Sequence, residues 1–496
     1  MMEDTYMFLK KKQRVLELTD TIIEMVSILN QIQDPSQELS DCLMALDIIA
    51  EQLMQEEELS PLLIEQFNTV QNSFVMYYEN LKELTSDNLS ETLAQLNSLV
   101  SLIKDTINTK LNIVFFPYKV SMWDSLSTVY EVAKNDPNCV VNVVPIPYYQ
   151  LSQDKVIPTY EGDRFPEDVL VTHYNNYNLE DQEPDIIFVH NIYDNYNTLT
   201  RVYPDYYTTN LKKYTDMLVY VPYYTASFTP FKKSGFYPYT TPGLKNVDKF
   251  ILVNNKEKEI ALKEGIPEEK LLVLGSPKLD IINRALQKPP SYPLGWKEKL
   301  EGKTVYLINT GCMYFTENPF SALEKLIDIF NIPRFVENSV VIWRPHPLTK
   351  ISVLKYSPFF AAYLNNLLEN CILSDDPLYK GIILDETDDY INTLLLADVL
   401  ISSDSSILNA YLITEKKVLY WDEKLPDDSL LPENVFYYMY KKPEPWYDIV
   451  QKFSKGYDPL EKNRLGLSSR VYVNADGSSG EKIFREIKKG VIEKVK

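Results

Sequence analysis

Two groups of polar residues in the second half of the chain have the residue types of a phosphate-binding site. Arg344 and His346 follow one apolar, strand-like run, and the cluster Ser402–Ser406 follows another. Ligands bind at the C-terminal ends of parallel strands, so we expect the two groups to share one site. Ser405 and Ser406 would lie where a helix begins, with hydroxyl and backbone N–H groups facing a phosphate. The guanidinium of Arg344 matches phosphate geometry bidentately.

Each of these residues also has a purely structural interpretation. His346 could be a hydrogen-bonded histidine at a strand end, Arg344 could pair with a neighbouring carboxylate, and the serines could form an ordinary helix N-cap. Asp404 would repel a phosphate, so we expect it to cap the helix or to take a hydroxyl proton. Gly311, after another strand-like run, is weak support for a close backbone approach to a ligand.

The chain has three histidines, and histidine is the side chain best suited to proton transfer near neutral pH. His190 follows an apolar strand-like run and precedes Asn191 and Asp194, which could support it. It could face His346 across a cleft, or it could be a structural histidine, and both interpretations stay open at this point. His173 lies in a polar loop, and we interpret it as structural.

Residues 1–110 are predicted to form a separate helical module. Apolar residues recur at helical spacing in four stretches, and Ser60-Pro61 suits the start of the third. The module contains no glycine or histidine and has a large acidic excess. We expect an antiparallel bundle or an arm that forms homo-oligomers, and a plain helical cap on the next domain is the alternative.

The rest of the chain alternates strand-like and helix-like runs, which is the pattern of a parallel α/β sheet. We predict one domain over 111–285, beginning at Asn112–Phe116, and a second over 286–496, beginning at Thr304–Ile308. The predicted fold class is therefore α/β, with two Rossmann-like doubly wound domains after an all-α module. The cleft between two such domains is a usual place for a small ligand.

Composition and motifs exclude several classes of function. The net charge of −20 argues against nucleic acid as a partner. The chain has no GxxxxGK[ST] or GxGxxG motif, so P-loop and simple dinucleotide-binding interpretations lose support. Without DxD, HExxH or clustered Cys and His, no dedicated metal site is expected. Scattered cysteines, no signal-like N-terminus and no apolar run of membrane-spanning length indicate a cytoplasmic protein.

Several short segments, in a fixed order, carry a resemblance to a known family. They are Phe115–Asp124, Pro145–Tyr149, Tyr160–Asp163, Pro184–His190, Tyr214–Tyr220, Gly275–Asp280, Trp343–Pro347 and Ser402–Ser406. With these segments, the chain from about 111 to 496 resembles the CDP-glycerol glycerophosphotransferase family of teichoic-acid polymerases and primases. Residues 1–110 lie outside the resemblance.

The resemblance implies a GT-B-like pair of domains, with the CDP moiety on the C-terminal one. It implies transfer of glycerol phosphate, or a similar polyol phosphate, from CDP-glycerol or a related donor to a polyol-phosphate or glycan acceptor. CMP would be released, in the synthesis of a cell-wall or capsule-type polymer, with no cofactor beyond the CDP-activated substrate. His346 matches the family's C-terminal histidine, and Ser405-Ser406 match its paired serines. Peripheral attachment at the inner membrane face stays open.

Two departures from the family pattern affect the predicted mechanism. Other members carry a Trp-His-Gly-Thr-Pro-type motif in the N-terminal domain, and the window 222–245 here has no histidine. Asp404 stands one place before the paired serines, whereas the family's aspartate stands two places before them. We therefore predict His190 as the general base, with Asp194 or Asp163 as the alternative. A glycosyltransferase using a nucleotide sugar and a non-catalytic nucleotide-binding scaffold are the competing functions.

Overall fold

The structure is a computed structural model, and it describes residues 5–55, 59–152, 155–225, 238–373, 376–387, 389–403, 405–426, 429 and 431–493. A helical module precedes two α/β domains, which confirms the predicted fold class. Within the described ranges, no helix combines the length and apolarity needed to cross a lipid bilayer.

The helical module is built from amphipathic helices that share one core. They are α1 (Leu9–Ile28), α2 (Ser36–Met54), α3 (Pro61–Glu79) and α4 (Ser86–Thr106). Each helix turns its apolar stripe inward, and Leu46 and Phe74 are fully buried where the stripes meet. Ser60 caps α3 by accepting the Leu63 N–H at 3.2 Å, and Pro61 occupies the first helical position.

A short strand within the module was not predicted from the sequence. Strand β1 (Tyr6–Phe8) precedes α1 and pairs in parallel with the first residues of β2 (Asn108–Phe116). A run of three residues is too short to show the twofold alternation of a strand. The module is therefore hydrogen-bonded to the first sheet as well as being connected to it through the chain.

The first α/β domain consists of a parallel sheet and a small antiparallel sheet. Its further strands are β3 (Cys139–Val143), β4 (Tyr148–Leu151), β5 (Val156–Thr159), β6 (Ile186–Val189), β7 (Thr200–Val202), β8 (Met217–Tyr220), β9 (Lys249–Leu252) and β10 (Leu271–Val273). Its helices are α5 (Asp124–Lys134), α6 (Leu179–Gln182), α7 (Thr208–Leu211), α8 (Asn255–Lys263) and α9 (Pro277–Leu286). The parallel strands follow the order β3-β2-β6-β8-β9-β10, and β5-β4-β7 form the antiparallel sheet. The chain changes direction between β2 and β6, where doubly wound sheets open a ligand crevice.

The second α/β domain has a single parallel sheet. Its strands are β11 (Thr304–Thr310), β12 (Ser339–Pro345), β13 (Ile382–Leu384), β14 (Val399–Ser402), β15 (Lys417–Tyr420) and β16 (Tyr437–Tyr438). Its helices are α10 (Lys297–Leu300), α11 (Pro319–Phe330), α12 (Ile332–Phe335), α13 (Thr349–Tyr356), α14 (Ala361–Leu373), α15 (Tyr390–Leu396), α16 (Ser406–Tyr411), α17 (Trp446–Phe453), α18 (Glu461–Arg464), α19 (Leu467–Val471) and α20 (Ser479–Glu493).

The strand order in this domain is β13-β12-β11-β14-β15-β16, which is the Rossmann order. Apolar strands such as Val340–Trp343 are buried on both faces, as expected where helices cover both sides of a parallel sheet. The chain changes direction between β11 and β14, so the crevice of this domain opens beside Gly311 and Ser402–Ser406.

Helix α20 returns to the first domain. Ile483, Phe484 and Ile487 pack in the same core as Leu126 of α5. The carboxylate of Asp280 accepts the N–H groups of Ser479 at 3.1 Å and of Gly480 at 2.7 Å, so it holds the start of α20. The sequence prediction places all of 286–496 in the second domain. In the structure, the last helix of that range, α20, packs in the core of the first domain.

Candidate active site

His346 presents a single hydrogen-bond donor at the end of β12. Its backbone N–H donates to the Thr310 carbonyl at 3.0 Å, and its Nδ1 accepts the Leu348 N–H at 3.0 Å. An imidazole that accepts at Nδ1 carries its proton on Nε2, and this Nε2–H has no partner among the described residues. Burial lowers the pKa of His346 to about 4, and the charges of Lys119 and Arg344 add to the effect. The ring is therefore neutral near pH 7 and acts as a donor.

Lys119 approaches His346 from the other domain, at the C-terminal end of β2. It is 8% exposed, and its Nζ lies 5.4 Å from the centroid of the Tyr148 ring. Burial lowers the pKa of Lys119, while Glu161 opposes the shift. Within the described ranges, no carboxylate forms an ion pair with this ammonium group. A buried cation without an ion-pair partner in this part of the chain, whose charge acts on a neutral N–H donor, is a combination that suits an anionic ligand.

Ser405 serves as the N-cap of α16. Its Oγ accepts the Leu408 N–H at 3.1 Å and lies 3.1 Å from the Oγ of Ser402. The structural alternative that the sequence left open therefore applies to this hydroxyl. The side-chain N–H of Asn309, at the end of β11, also reaches Ser405 at 3.4 Å, which ties the ends of β11 and β14 together.

Ser406 lies at the contact between the two domains. Its carbonyl accepts a hydrogen bond from Thr225 Oγ1 at 3.3 Å, and Thr225 follows β8 in the first domain. The Ser406 hydroxyl has no hydrogen-bond partner in the described part of the chain. Gly311 lies after β11, and a side chain there would meet no atom within 4 Å. Ser406 and Gly311 lie on the second-domain side of the cleft, and the space beside Gly311 is open.

Arg344 forms the ion pair with a neighbouring carboxylate that the sequence left open as an alternative to phosphate binding. Its Nη1 donates to Asp385 Oδ2 at 2.6 Å, and its Nη2 donates to the Thr387 carbonyl at 2.8 Å. Arg344 is 8% exposed and Asp385 is 1% exposed, so the ion pair is buried. Neutralising a buried guanidinium needs such a partner, and this pair holds the loop after β13 against β12.

His190, the predicted general base, is hydrogen-bonded within the first domain through both ring nitrogens. Its Nε2 accepts the Tyr118 N–H at 3.1 Å, which leaves the proton on Nδ1. Nδ1 lies 3.3 Å from the Met122 carbonyl and 3.2 Å from Ser125 Oγ. The ring is fully buried, and burial lowers the pKa of His190 to about 3. Both nitrogens are engaged inside the first domain, so this geometry does not support a general base.

The predicted neighbours of His190 have structural partners as well. Asn191 Oδ1 accepts the Tyr193 N–H at 3.1 Å. The Asp194 carboxylate accepts the N–H of Thr208 at 3.0 Å and its hydroxyl at 2.6 Å. Burial raises the pKa of Asp194, while the two bonds from Thr208 oppose that shift. Asp404 lies outside the described residues.

A second contact across the cleft joins Asp124 to Tyr390. The Tyr390 hydroxyl donates to Asp124 Oδ2 at 2.5 Å, and Lys278 Nζ lies 3.2 Å from the same oxygen. Lys278 Nζ also lies 4.9 Å from the Tyr390 ring centroid and donates to the Tyr223 carbonyl at 3.1 Å. A cavity of about 300 Å³ adjoins this junction. The contact holds the start of α15 against the start of α5.

Sequence reasoning did not single out Lys119, Asp124 or Lys278 as site residues. All three lie in segments that carry the family resemblance, Phe115–Asp124 and Gly275–Asp280. A lysine directly after a buried strand was the available signal for Lys119. The partners of Asp124 and Lys278 are far away in sequence, so no local pattern could have identified their contacts. Over the described ranges, no group of three or more His, Cys, Asp and Glu side chains could hold a metal ion.

No protein-family model and no curated protein sequence match the chain. Solved structures with a similar course of the chain include the wall teichoic acid polymerase TagF. It is 16% identical, with 88% of this chain and 100% of that chain covered and a TM-score of 0.48. A Neisseria meningitidis UDP-GlcNAc 2-epimerase bound to UDP-GlcNAc is 12% identical, with 77% and 100% covered and a TM-score of 0.48. A Listeria monocytogenes protein named for a proposed UDP-N-acetylglucosamine 2-epimerase activity is 14% identical, with 77% and 97% covered and a TM-score of 0.49. At these values the likeness identifies neither substrate nor reaction.

Proposed function

We propose that this chain transfers glycerol phosphate, or a similar polyol phosphate, from a CDP-activated donor to an acceptor hydroxyl and releases CMP. The observation that carries the proposal is the pair formed by Lys119 and His346 at the two sides of the cleft. The ammonium group of Lys119 is buried and its charge acts on His346, whose Nε2–H has no partner among the described residues. Both residues follow the C-terminal end of a parallel strand. The segments shared with the CDP-glycerol glycerophosphotransferase family support the choice of donor.

In the proposed reaction, the acceptor oxygen forms a bond to the phosphorus that carries the polyol. The bond from that phosphorus to the bridging oxygen breaks, and the electron pair leaves with CMP. Negative charge develops on the bridging oxygen and is spread over the transferring group. The Nε2–H of His346 and the ammonium of Lys119 would stabilise this charge, because the histidine ring is held by its bond to the Leu348 N–H and the lysine is buried.

The acceptor hydroxyl must lose its proton as the new bond forms. His346 cannot take it in its present tautomer, because Nδ1 accepts the Leu348 N–H and Nε2 already carries a proton. The two nitrogens of His190 are also engaged. A loose phosphoryl transition state needs little help from a base, so the proton passes to solvent water once the new bond has formed. We therefore propose that catalysis rests mainly on positioning and charge stabilisation.

The test is release of CMP from CDP-glycerol by the full chain in the presence of a glycerol-phosphate acceptor. Melting temperature is measured in parallel with CDP, UDP, GDP and CMP, because ligands of the native state raise it. The proposal predicts turnover and a larger stabilisation by CDP than by UDP or GDP. Stabilisation by UDP alone would favour a nucleotide-sugar enzyme, and ligand binding without turnover would favour a non-catalytic scaffold.

A further inference from the structure

We propose a second binding site, for a phosphodiester group of a polyol-phosphate chain, on the outer face of the small antiparallel sheet β5-β4-β7. It is centred on Arg201 of β7. The identification of that chain as the acceptor of the reaction rests on the proposed function. The binding of an anion with carbon chains and hydroxyl groups beside it rests on the residues of the sheet itself.

Arg201 is the one arginine whose guanidinium has no polar partner in the described part of the chain. Each of the others forms an ion pair or donates a hydrogen bond: Arg14, Arg164, Arg284, Arg334, Arg344, Arg464, Arg470 and Arg485. The chain has 70 Asp and Glu residues against 50 Lys and Arg, so carboxylates are not scarce. The unused guanidinium therefore sets Arg201 apart from the structural arginines.

The guanidinium of Arg201 can be reached by a ligand. The side chain is half-buried, and its Nε is enclosed without a hydrogen-bond partner. Nη1 and Nη2 reach the surface, and they too have no partner among the described residues. A partly buried cation without a partner is costly. The paired N–H groups of a guanidinium match two oxygens of a phosphate, so such a ligand would satisfy them.

Two tyrosine rings lie beside Arg201 on the same face of the sheet. Arg201 is directly opposite Tyr149 of β4, and opposite residues of an antiparallel pair share a face. Tyr203, two residues after Arg201, stacks on Tyr149 with the ring centroids 4.5 Å apart. Both tyrosines are half-buried, and Pro158, opposite Tyr149 on β5, is exposed. These four residues, the Arg201 face, offer apolar contact to a carbon chain and hydroxyl groups for hydrogen bonds.

The charges near the Arg201 face favour an anion. Burial raises the pKa of Tyr207, and the charge of Arg201 opposes that shift, so the guanidinium acts on a neighbouring hydroxyl. The charge of Asp194 also acts on Tyr207. The Asp194 carboxylate accepts both the N–H and the hydroxyl of Thr208, so part of its charge is already balanced. Within the described residues no carboxylate pairs with Arg201, and a phosphate can take that place.

The Arg201 face lies on the opposite side of the small sheet from Lys119. Lys119 Nζ lies 5.4 Å from the ring centroid of Tyr148, and consecutive residues of a strand point to opposite faces. Strand β7 is at the edge of the sheet, and the hydroxyl of Thr198, just before it, lies 3.0 Å from that of Tyr356 in the second domain. A polyol-phosphate chain with its end in the cleft can therefore pass this edge and place an earlier phosphodiester on the Arg201 face.

The experiment measures binding of a synthetic glycerol-phosphate hexamer to the full chain by calorimetry, without any nucleotide donor. Arg201→Gln removes the guanidinium, and Arg201→Lys keeps the charge without the paired N–H groups. Arg334→Gln is the matched control, because Arg334 is exposed and forms no ion pair in the described part of the chain. We expect Arg201→Gln to bind the hexamer about tenfold more weakly, Arg201→Lys to bind it with intermediate affinity, and the control to bind it normally.

Three results would overturn the proposal. They are no binding of the hexamer at millimolar concentration, unchanged binding by Arg201→Gln, and an equal loss in Arg334→Gln, which would indicate non-specific attraction. Equal binding of an uncharged glycerol hexamer would overturn the anion preference. Melting curves show whether each variant is folded. If Arg201→Gln is not, Arg201→Lys replaces it, and unchanged binding by Arg201→Lys would then exclude the paired contact with phosphate.

The assay uses no CDP-activated donor, so its outcome is distinguishable from failure of the proposed reaction. A chain that binds the hexamer through Arg201 but releases no CMP would retain this site and lose the proposed function. Release of CMP together with unchanged hexamer binding by Arg201→Gln would retain the proposed function and remove this site.

Discussion

The two histidines that follow parallel strands, one in each α/β domain, occupy similar positions in the fold but have opposite surroundings. Each directly follows a buried parallel strand, His190 after β6 and His346 after β12. His190 is fully buried, and both of its nitrogens are bonded within the first domain. His346 accepts one backbone N–H and keeps its other nitrogen available. The difference teaches that the strand end brings a histidine near a site, whereas the partners of its nitrogens decide what it can do there.

The comparison extends to the cations. Arg344 and Lys119 both lie at strand ends and are almost equally buried. Arg344 is neutralised by Asp385 at 2.6 Å, whereas Lys119 lies over the Tyr148 ring and, among the described residues, forms no ion pair, although the charge of Glu161 acts on it. A planar guanidinium can donate hydrogen bonds to several acceptors at once, so it can hold two loops together. Arg344 therefore forms a structural ion pair, whereas Lys119 has no such pair within the described residues and keeps its charge for a ligand.

The largest effect on turnover is expected from His346→Ala. Loss of a preorganised donor to developing charge typically lowers the rate by about 10²–10³-fold, so CMP release should fall by at least about 10²-fold. The matched control is His173→Ala, because His173 also accepts a backbone N–H at Nδ1 but lies in an outer loop. Near-normal turnover in His346→Ala would remove this residue from the site.

A smaller loss is expected from Lys119→Met, which keeps most of the apolar length of the side chain but removes the charge. We expect CMP release to fall about tenfold or more, with the larger part in the apparent affinity for the donor. Since the buried ammonium forms no ion pair with any residue that the structure describes, the variant should melt at the same or a higher temperature. Lys263→Met is the exposed control. A less stable variant with normal turnover would indicate a structural role for Lys119.

The sequence predicts the architecture better than it predicts the site. Long apolar periodicities and the alternation of strands and helices indicate two doubly wound domains after a helical module, and these patterns are local in sequence. The same reasoning misses β1, which is three residues long, and the return of α20 to the first domain. Both depend on contacts between distant parts of the chain, Tyr6 with Asn108 and Phe484 with α5.

The candidate site shows the same limit at the level of single residues. The apolar run before Arg344-Pro345-His346 correctly indicates a strand end with polar residues. Nothing in that run shows whether a side chain binds a ligand or forms a structural ion pair. Asp385 lies 41 residues after Arg344, and Tyr390 lies 266 residues after Asp124. The roles of these side chains are set by tertiary pairing, which residue type and spacing do not encode.

A still smaller effect on turnover is expected from His190→Ala, which should act mainly on stability. The substitution leaves the Tyr118 N–H without an acceptor and opens space in the core, so we expect a loss of about 1–3 kcal/mol in the free energy of unfolding. Turnover of the folded variant should stay within a few-fold of the original. Urea unfolding and CMP release measured on the same preparation separate the two effects. A loss of turnover by about 10²-fold in a stable variant would restore His190 as the base.

The smallest effect on turnover is expected from acidification between pH 7 and pH 6, because neither histidine at the cleft should gain a proton there. The pKa of His190 is lowered to about 3 and that of His346 to about 4, both by burial. In the unfolded chain both titrate near 6.5, so below that pH the unfolded state binds more protons. The free energy of unfolding should therefore fall as the pH falls from about 6.5 towards the folded-state values. Each histidine contributes roughly 1–2 kcal/mol between pH 7 and pH 5.

The measurement that sharpens the comparison is the same unfolding experiment at pH 7 and at pH 5 for the original chain and for His190→Ala. The variant should lose less stability on acidification, by the share of one buried histidine. Buried carboxyl groups such as Asp185 and Glu257, whose pKa values burial raises to about 7, act with the opposite sign. They are present in both proteins, so their effect cancels in the difference. An equal loss in the two proteins would mean that His190 is protonated in the folded state, and that its ring is more accessible than the bonds to Tyr118 and Met122 indicate.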